Sequence, residues 1–445
     1  MNFGSSSAPS APRGMGSAGP SNGGPTPQKP EVVPLTAELL SKFRPSKHFK
    51  DALDPEPSSS ANSPIFSYGA DPKAPTGSGG ATRNITSICF DDAGDRMVTA
   101  GDDDTFVLWD CRKAKKIKPL YSRKYGIDLP RFTHKAGTIV HASTKGDDHA
   151  VRYHSMHDNK YLAYFKGHEA RVRSVDVSPV DDTFITAGDD GTVRLWDLRT
   201  SGCKGLVKDV GGSAIAAIDN QGIVFAVACS DTQTIMMYAT STMDRAPFLY
   251  TPLNDVSFAR DSIPPPKPIF TSISFSSNGE YLLIGTSSDV HYLLDAIDLV
   301  PLRRLVGHQG LERDKSGNKP PGTRRGTSGE EVSFTSDSKF VISGSADGEI
   351  LFWDLTDDPV TKIGSEGQTL LTRTELEGGQ KDAKAVQWHT IPIPDLRAKV
   401  TLKGGAGSSR AVRFNNRLQM FVVAGEDLTF WIPEKDEDAR IQEGW

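Results

Sequence analysis

Residues 184–199, FITAGDDGTVRLWDLR, hold two runs of alternating apolar side chains around an Asp-Asp-Gly break and close on Trp196-Asp197. A period of two marks half-buried strands, and Asp and Gly at the break mark a tight turn. Related copies stand at 99–110, TAGDDDTFVLWD, and 343–354, SGSADGEILFWD, with Gly167-His168 and Gly307-His308 ahead of the second and third Trp-Asp pairs. Trp109-Asp110 and Trp196-Asp197 are 87 residues apart, two periods of about 43, and one such period is the span of a four-stranded propeller blade. A single blade cannot bury both of its faces, so blades must stack into a ring.

Seven three-strand groups follow from this pattern, at about 83–110, 127–154, 171–197, 213–239, 269–295, 328–354 and 409–432. The fourth and fifth are the faintest, because Tyr238 and Leu294 stand where a Trp is expected. Most groups gain an outer strand, such as 118–121 or 161–165, but the seventh ends near Trp431-Ile432-Pro433 with only a charged tail, 434–445, beyond it. An open edge invites aggregation, and the unassigned piece Lys47-His48-Phe49-Lys50 can cover it. The expected fold is therefore all-β, a seven-bladed propeller over 83–433 closed by an N-terminal strand.

Ahead of the ring, residues 1–34 carry seven Pro, six Gly and six Ser and read as a disordered arm. Within 35–50, Thr36 caps a short helix that Leu35 staples onto Leu40 and that ends before Pro45; an extended piece then runs from Ser46 to Lys50. Residues 51–82 read as a flexible insertion. In a four-stranded antiparallel blade, the connections between blades share one face with the second-to-third-strand turns. That face should carry the insertions at 51–82, 252–268 and 309–327, and the opposite face the one at 356–397.

Composition narrows the function classes. A net charge of −5 argues against a protein built chiefly to grip duplex DNA or an anionic membrane. Cys89, Cys111, Cys203 and Cys229 show no Cys-x-x-Cys spacing, so neither a zinc site nor a disulfide framework is signalled and a reducing compartment is expected. No apolar run of spanning length and no signal peptide is read. His149, His154 and His157 near Asp147, Asp148 and Asp158 suggest a metal site, but strand alternation sends them in different directions, and His154 reads as a core residue in a Trp position. Gly101-Asp102-Asp103-Asp104 reads as a turn. No nucleophile elbow or phosphate-cradling loop is present, so no enzyme and no cofactor is expected.

Two sets of residues stand out. His168, Thr186, Asp190 and Trp196 sit at spacings that resemble the buried structural tetrad of WD40 propellers, in which each side chain satisfies the next. His308, Ser343, Asp347 and Trp353 repeat it, and Thr99, Asp103 and Trp109 give it without the His. The second set is Arg123, Lys124, Tyr125, Lys166, Arg171, Arg324 and Arg325, on the face of the interblade connections, where converging cations would clamp phosphate groups of a partner. Lys113, Lys115, Lys116 and Lys118 are denser but belong to the opposite face.

The passages at 121–128 (YSRKYGID), 157–161 (HDNKY) and 178–199 resemble the small WD40 subunit shared by COMPASS-type histone lysine methyltransferase complexes and the cleavage/polyadenylation and phosphatase machinery. The likeness extends over 35–50, 85–197 and 430–433, while the long N-terminal arm and the loop insertions depart from the compact family pattern and suggest a fungal-like version. It implies a nuclear, non-catalytic scaffold that binds the N-terminal region of the methyltransferase catalytic subunit and other COMPASS subunits. It also implies a role in mRNA 3′-end processing and transcription termination, and coupling to the phosphorylated C-terminal repeats of RNA polymerase II. Direct sequence-specific nucleic-acid or membrane binding is not implied. Trp196-Asp197-Leu198-Arg199 also fits the Trp-Asp-x-Arg box of substrate receptors of cullin-type ubiquitin ligases, a second reading.

Overall fold

Seven sheets, each built on four antiparallel strands, lie within the unit Leu35–Trp445 in the computed structural model. The structure describes residues 34–50, 52–53, 84–200, 202–243, 246–253, 255, 267–310, 330–356, 384–385, 393–404 and 409–434. The expected disordered arm before Pro34, most of the four expected insertions, the charged tail beyond Glu434, Arg324 and Arg325 lie outside the described residues.

From innermost to outermost strand, blade 1 is Ile85–Phe90, Arg96–Gly101, Thr105–Asp110 and Lys115–Tyr121, and blade 2 is Asp128–Phe132, Thr138–Ala142, Val151–Ser155 and Lys160–Phe165. Blade 3 is Val172–Val177, Thr183–Gly188, Val193–Asp197 and Cys203–Val207; blade 4 is Ala214–Ile218, Val224–Cys229, Thr234–Ala239 and Leu249–Pro252. Blade 5 is Phe270–Phe275, Tyr281–Thr286, Val290–Asp295 and Pro301–Val306; blade 6 is Val332–Phe334, Phe340–Gly344, Glu349–Asp354 and Val400–Lys403. Blade 7 takes Ala411–Phe414, Phe421–Ala424 and Leu428–Pro433 from the C-terminal side and Phe43–Phe49 from the N-terminal side.

Blades 4 and 5 form without their Trp because the position needs volume rather than an indole. Tyr238 stacks on Phe225 at 5.2 Å and 7°, and Leu294 is fully buried. In four blades the outermost strand carries one extra residue opposite this position, Ile117, Leu162, Lys204 and Leu302, where its pairing shifts just before Trp109, His154, Trp196 and Leu294. Each core cluster then joins neighbouring blades; one holds Val140 and Phe165 of blade 2 with Val175, Phe184 and Trp196 of blade 3.

The closing strand begins earlier than expected. Phe43 pairs with Pro433 and Phe49 with Leu428, and Pro45, read as the end of the helix, sits inside the strand at a bulge. An outermost strand needs no N–H on its open side, so Pro is tolerated there. The helix Ala37–Ser41 carries the expected cap, Leu39 N–H donating to Thr36 Oγ1 at 3.1 Å. Phe43 stacks on Phe421 at 5.2 Å, and Phe49 meets Trp109 of blade 1 edge-on at 4.9 Å, so the N-terminal strand seals the last blade against the first.

The insertion that leaves blade 6 through its third-to-fourth-strand turn turns back. Asp395–Arg397 adds a parallel strand to Arg304–Val306 at the edge of blade 5, and Lys384–Ala385 does the same at Leu249–Tyr250 of blade 4. Arg304 fastens this strap, with Asp395 at 3.2 Å and the buried Asp255 at 2.9 Å.

Candidate partner-binding surface

In blade 3, Trp196 Nε1 donates to Thr186 Oγ1 at 2.8 Å, His168 Nε2 lies 2.7 Å from the same hydroxyl, and His168 Nδ1 lies 2.9 Å from Asp190 Oδ2. Burial alone would raise the Asp190 carboxyl. The hydrogen bond and charge of His168, with the Glu169 N–H and Thr192, overcome it and hold the group well below the usual range. The Thr186 hydroxyl is committed on both sides and fully buried, so it has no capacity left as a nucleophile. Blade 1 keeps only part of the chain: Trp109 Nε1 donates to Thr99 Oγ1 at 2.9 Å, while Asp103 accepts from Thr105 within its turn.

Blade 6 departs from the expected tetrad. Trp353 Nε1 donates to the carbonyl of Val306, and Ser343 Oγ is met at 3.1 Å by Nε2 of His291, from the neighbouring blade. His308 stacks on His291 at 4.0 Å and 10° and approaches the Ser288 carbonyl, while Asp347 accepts from the Glu349 N–H. The physical reason is competition: His291 claims the hydroxyl, so His308 has no partner there. Blade 2 places His154 in the Trp position, 3.3 Å from His141 and 3.1 Å from Asn159 Oδ1. His149 lies in the turn before that strand and His157 in the turn after it.

The connection from blade 1 to blade 2 is the best-built part of the expected basic rim. Gly126 N–H donates to the Ser122 carbonyl at 2.7 Å, Ser122 Oγ meets Tyr161 Oη at 2.8 Å, and the Tyr125 carbonyl accepts from Thr144 and Lys145. Gly126 is required: its φ is +70° and a Cβ would stand 1.7 Å from Thr144 Oγ1. The Arg152 guanidinium, fully buried, lies 3.6 Å from the centre of the Tyr125 ring and holds Asp148 at 2.6 Å. Tyr125 also meets Tyr161 edge-on at 5.7 Å. A hydrogen bond between Lys124 and Tyr125 raises the ammonium pKa and lowers the phenol pKa. Arg123 and Lys124 are thus presented, exposed, on a rigid aromatic base, with Arg123 against Tyr121 at 4.9 Å and Lys124 over Tyr125 at 4.9 Å.

Lys166 and Arg171 lie in the next connection on the same face. Lys166 is exposed, but Arg171 is half-buried and bonded to Asp128 Oδ2 at 3.0 Å, so it braces blades rather than reaching outward. Acids share this face: Asp104 is held by Lys145 and Asp148 by Arg152, while Glu169 is exposed. Asp197 and Arg199 of the Trp-Asp-x-Arg run pair with each other at 2.7 Å. Lys115, Lys116 and Lys118 lie on the outermost strand of blade 1 and Lys113 in the turn before it.

The sequence reading missed a charge network on the inner strands. Arg131 of blade 2 pairs with Glu330 at 2.6 Å, Arg413 of blade 7 approaches the same carboxylate at 3.7 Å, and Glu330 Oε2 accepts the Ile88 N–H of blade 1. Burial works against the Glu330 carboxylate, and the two guanidinium groups override it and lower its pKa. Beside it, burial pushes Glu331 up to about 7 and raises Asp176. The available signal was charge at strand positions where alternation expects apolar side chains.

Comparison with known proteins agrees with this architecture. Residues 75–110, 159–197 and 327–354 match the family model described as WD domain, G-beta repeat. The chain is 32% identical over 358 residues to WD repeat-containing protein 82 of Drosophila melanogaster, covering 80% of this chain and 92% of that protein. It is 34% identical over 355 residues to the Set1 complex component swd2 of Schizosaccharomyces pombe, covering 78% and 92%. With the COMPASS component SWD2 of Saccharomyces cerevisiae it shares 29% over 349 residues, covering 78% and 90%.

Proposed function

Because the chain belongs to the WD40 family of WD repeat-containing protein 82 and Swd2, we propose that it is a scaffold subunit of a Set1/COMPASS-type histone lysine methyltransferase complex in the nucleus. The observation that carries this reading is the extent of the likeness, which runs through nearly the whole of relatives named for those complexes rather than through the Trp-Asp repeats alone. A non-catalytic role accords with it: the polar side chains that could suggest a hydrolase, His168, Thr186 and Asp190, are consumed in one buried hydrogen-bonded unit. A ring braced by interblade bonds offers separate faces to the methyltransferase catalytic subunit and to other subunits.

The same reading includes a second pool serving mRNA 3′-end cleavage, polyadenylation and termination, with cleavage/polyadenylation and phosphatase subunits as partners. Arg123 and Lys124, fixed over Tyr121 and Tyr125, are the residues assigned to the phosphorylated C-terminal repeats of RNA polymerase II. Guanidinium and ammonium groups on a rigid base bind phosphate with little ordering cost.

Purification of the tagged full-length chain from native nuclear extract, with mass spectrometry, tests the assignment. Methyltransferase and 3′-end-processing subunits are the expected companions; a cullin adaptor recovered in their place would overturn it. For the rim, Arg123→Glu with Lys124→Glu should weaken a phosphorylated repeat peptide by about ten-fold in a titration. An unchanged affinity would remove these two residues from the site. Arg171→Glu is a poor probe, since it would set a second carboxylate against Asp128.

A further inference from the structure

Over blades 3 to 5, the face that carries the first-to-second and third-to-fourth-strand turns is apolar. Val180 is 65% exposed, Ile223 59%, Phe248 49% and Ile297 72%, half of the eight exposed large apolar side chains among the described residues. They are not scattered. A Cβ on Gly222 would stand 3.6 Å from Val180 Cγ2, so Val180 meets the turn that carries Ile223. Phe248 and Ile297 line one groove of about 430 Å³ between blades 4 and 5, with Val224, Met237 and Phe275. Asn220 Nδ2 donates to the Ser276 carbonyl at 2.7 Å and ties the two blades' turns together there.

Around this patch acids outnumber cations: Asp181, Asp182, Asp219, Glu280 and Asp298 lie in its turns, against Arg199 and Lys204 at its blade 3 end. An exposed apolar patch with a charged rim marks an interaction site, and the sign of the rim selects the partner. A second copy seated on the same patch would set acid against acid, and an anionic lipid surface would be repelled in the same way. The chain's own segment 357–384 carries six acidic against four basic residues and is the wrong sign as well.

We propose that this surface docks a basic linear segment of a second protein, with large apolar side chains seated between blades 4 and 5 and Lys or Arg side chains over the acidic rim. The site lies on the face opposite Arg123 and Lys124 and stands whichever complex the chain serves. One molecule therefore offers a cationic surface on one face and an acidic, apolar one on the other.

The test is photocrosslinking of the full-length chain in native cells, with benzoylphenylalanine in place of Ile297 and the attached peptide identified by mass spectrometry. The expected product is one reproducible segment rich in Lys or Arg and bearing a large apolar residue. Its yield should fall about ten-fold with Phe248→Glu, and clearly with Glu280→Lys plus Asp298→Lys, at an unchanged melting temperature. Ile223→Glu replaces Phe248→Glu should the latter lower the melt. Attachment to lipid, to a second copy, to residues of the same chain or to an acidic or phosphorylated segment would overturn the proposal, as would no attachment or a yield indifferent to the substitutions.

Discussion

The indole N–H of Trp196 and the imidazole of His168 meet on one threonine hydroxyl, so in blade 3 packing and polar satisfaction depend on each other. Trp196→Ala should cost about 3–5 kcal/mol, because it opens a cavity and removes a buried donor at once. Trp196→Phe keeps most of the volume and should cost about 1–2 kcal/mol, which thermal melting separates from the Ala variant. No loss with Phe would mean that the hydrogen bond carries nothing, and equal losses that the filled volume carries nothing. A second residue-scale expectation concerns imidazoles. Burial lowers His141 to about 3 and His154 and His308 to about 4, and holds His291 well below its ordinary value. These groups stay neutral when folded but take up protons when unfolded, so their contribution is full above about pH 6.5 and declines as pH falls toward 4. Glu331, raised to about 7, pulls the other way over the same window. With four imidazoles against Glu331 and the raised Asp176, stability should fall between pH 7 and 5, by up to about 1.4 kcal/mol per pH unit for each imbalanced group. His154→Gln with His308→Gln should flatten that slope; a wild-type protein equally stable at both values would contradict the assignment.

Elements differ in how plainly the chain announces them. The three Trp-Asp hairpins were legible because a rare, large side chain recurs at one place in a period-two strand, and the closing strand because blade 7 lacked an edge. The start of that strand at Phe43 was hidden by Pro45, which ordinarily ends an element but here occupies an open edge. The tetrad of blade 3 could be read from spacing, whereas the rearrangement in blade 6 depends on His291, in a neighbouring blade and 52 residues from Ser343 in sequence. The Arg131–Glu330 pair is likewise a product of ring closure, visible locally only as misplaced charge. The strap was out of reach for a different reason: parallel pairing of Asp395–Arg397 with Arg304–Val306 is made by backbone groups, and its side-chain tie, Arg304 to Asp395, joins residues far apart in sequence. At this scale Glu330→Gln should cost about 3 kcal/mol or more by leaving Arg131 buried against a neutral partner, read in a denaturant melt. A loss within experimental error would show that the network does not brace the ring.

Across the whole molecule, the architecture reduces to one dependence: seven sheets hold their clusters only while the first and last blades are joined. Phe43–Phe49 joins them with two aromatic anchors, Phe43 in blade 7 and Phe49 against Trp109 of blade 1. Truncating a buried Phe costs about 3–5 kcal/mol, and a whole protein is stable by only about 5–15 kcal/mol, so loss of this strand should consume most of the margin. The partner-binding faces depend on the same closure, since the connections that present Arg123 and Lys124 spring from strands that the ring holds in place. The decisive measurement is thermal melting of chains beginning at residue 35 and at residue 51, each compared with the full length. A chain from 35 should melt like the full protein, and a chain from 51 should melt far lower or fail to fold. Superimposable melting of all three would contradict closure by the N-terminal strand.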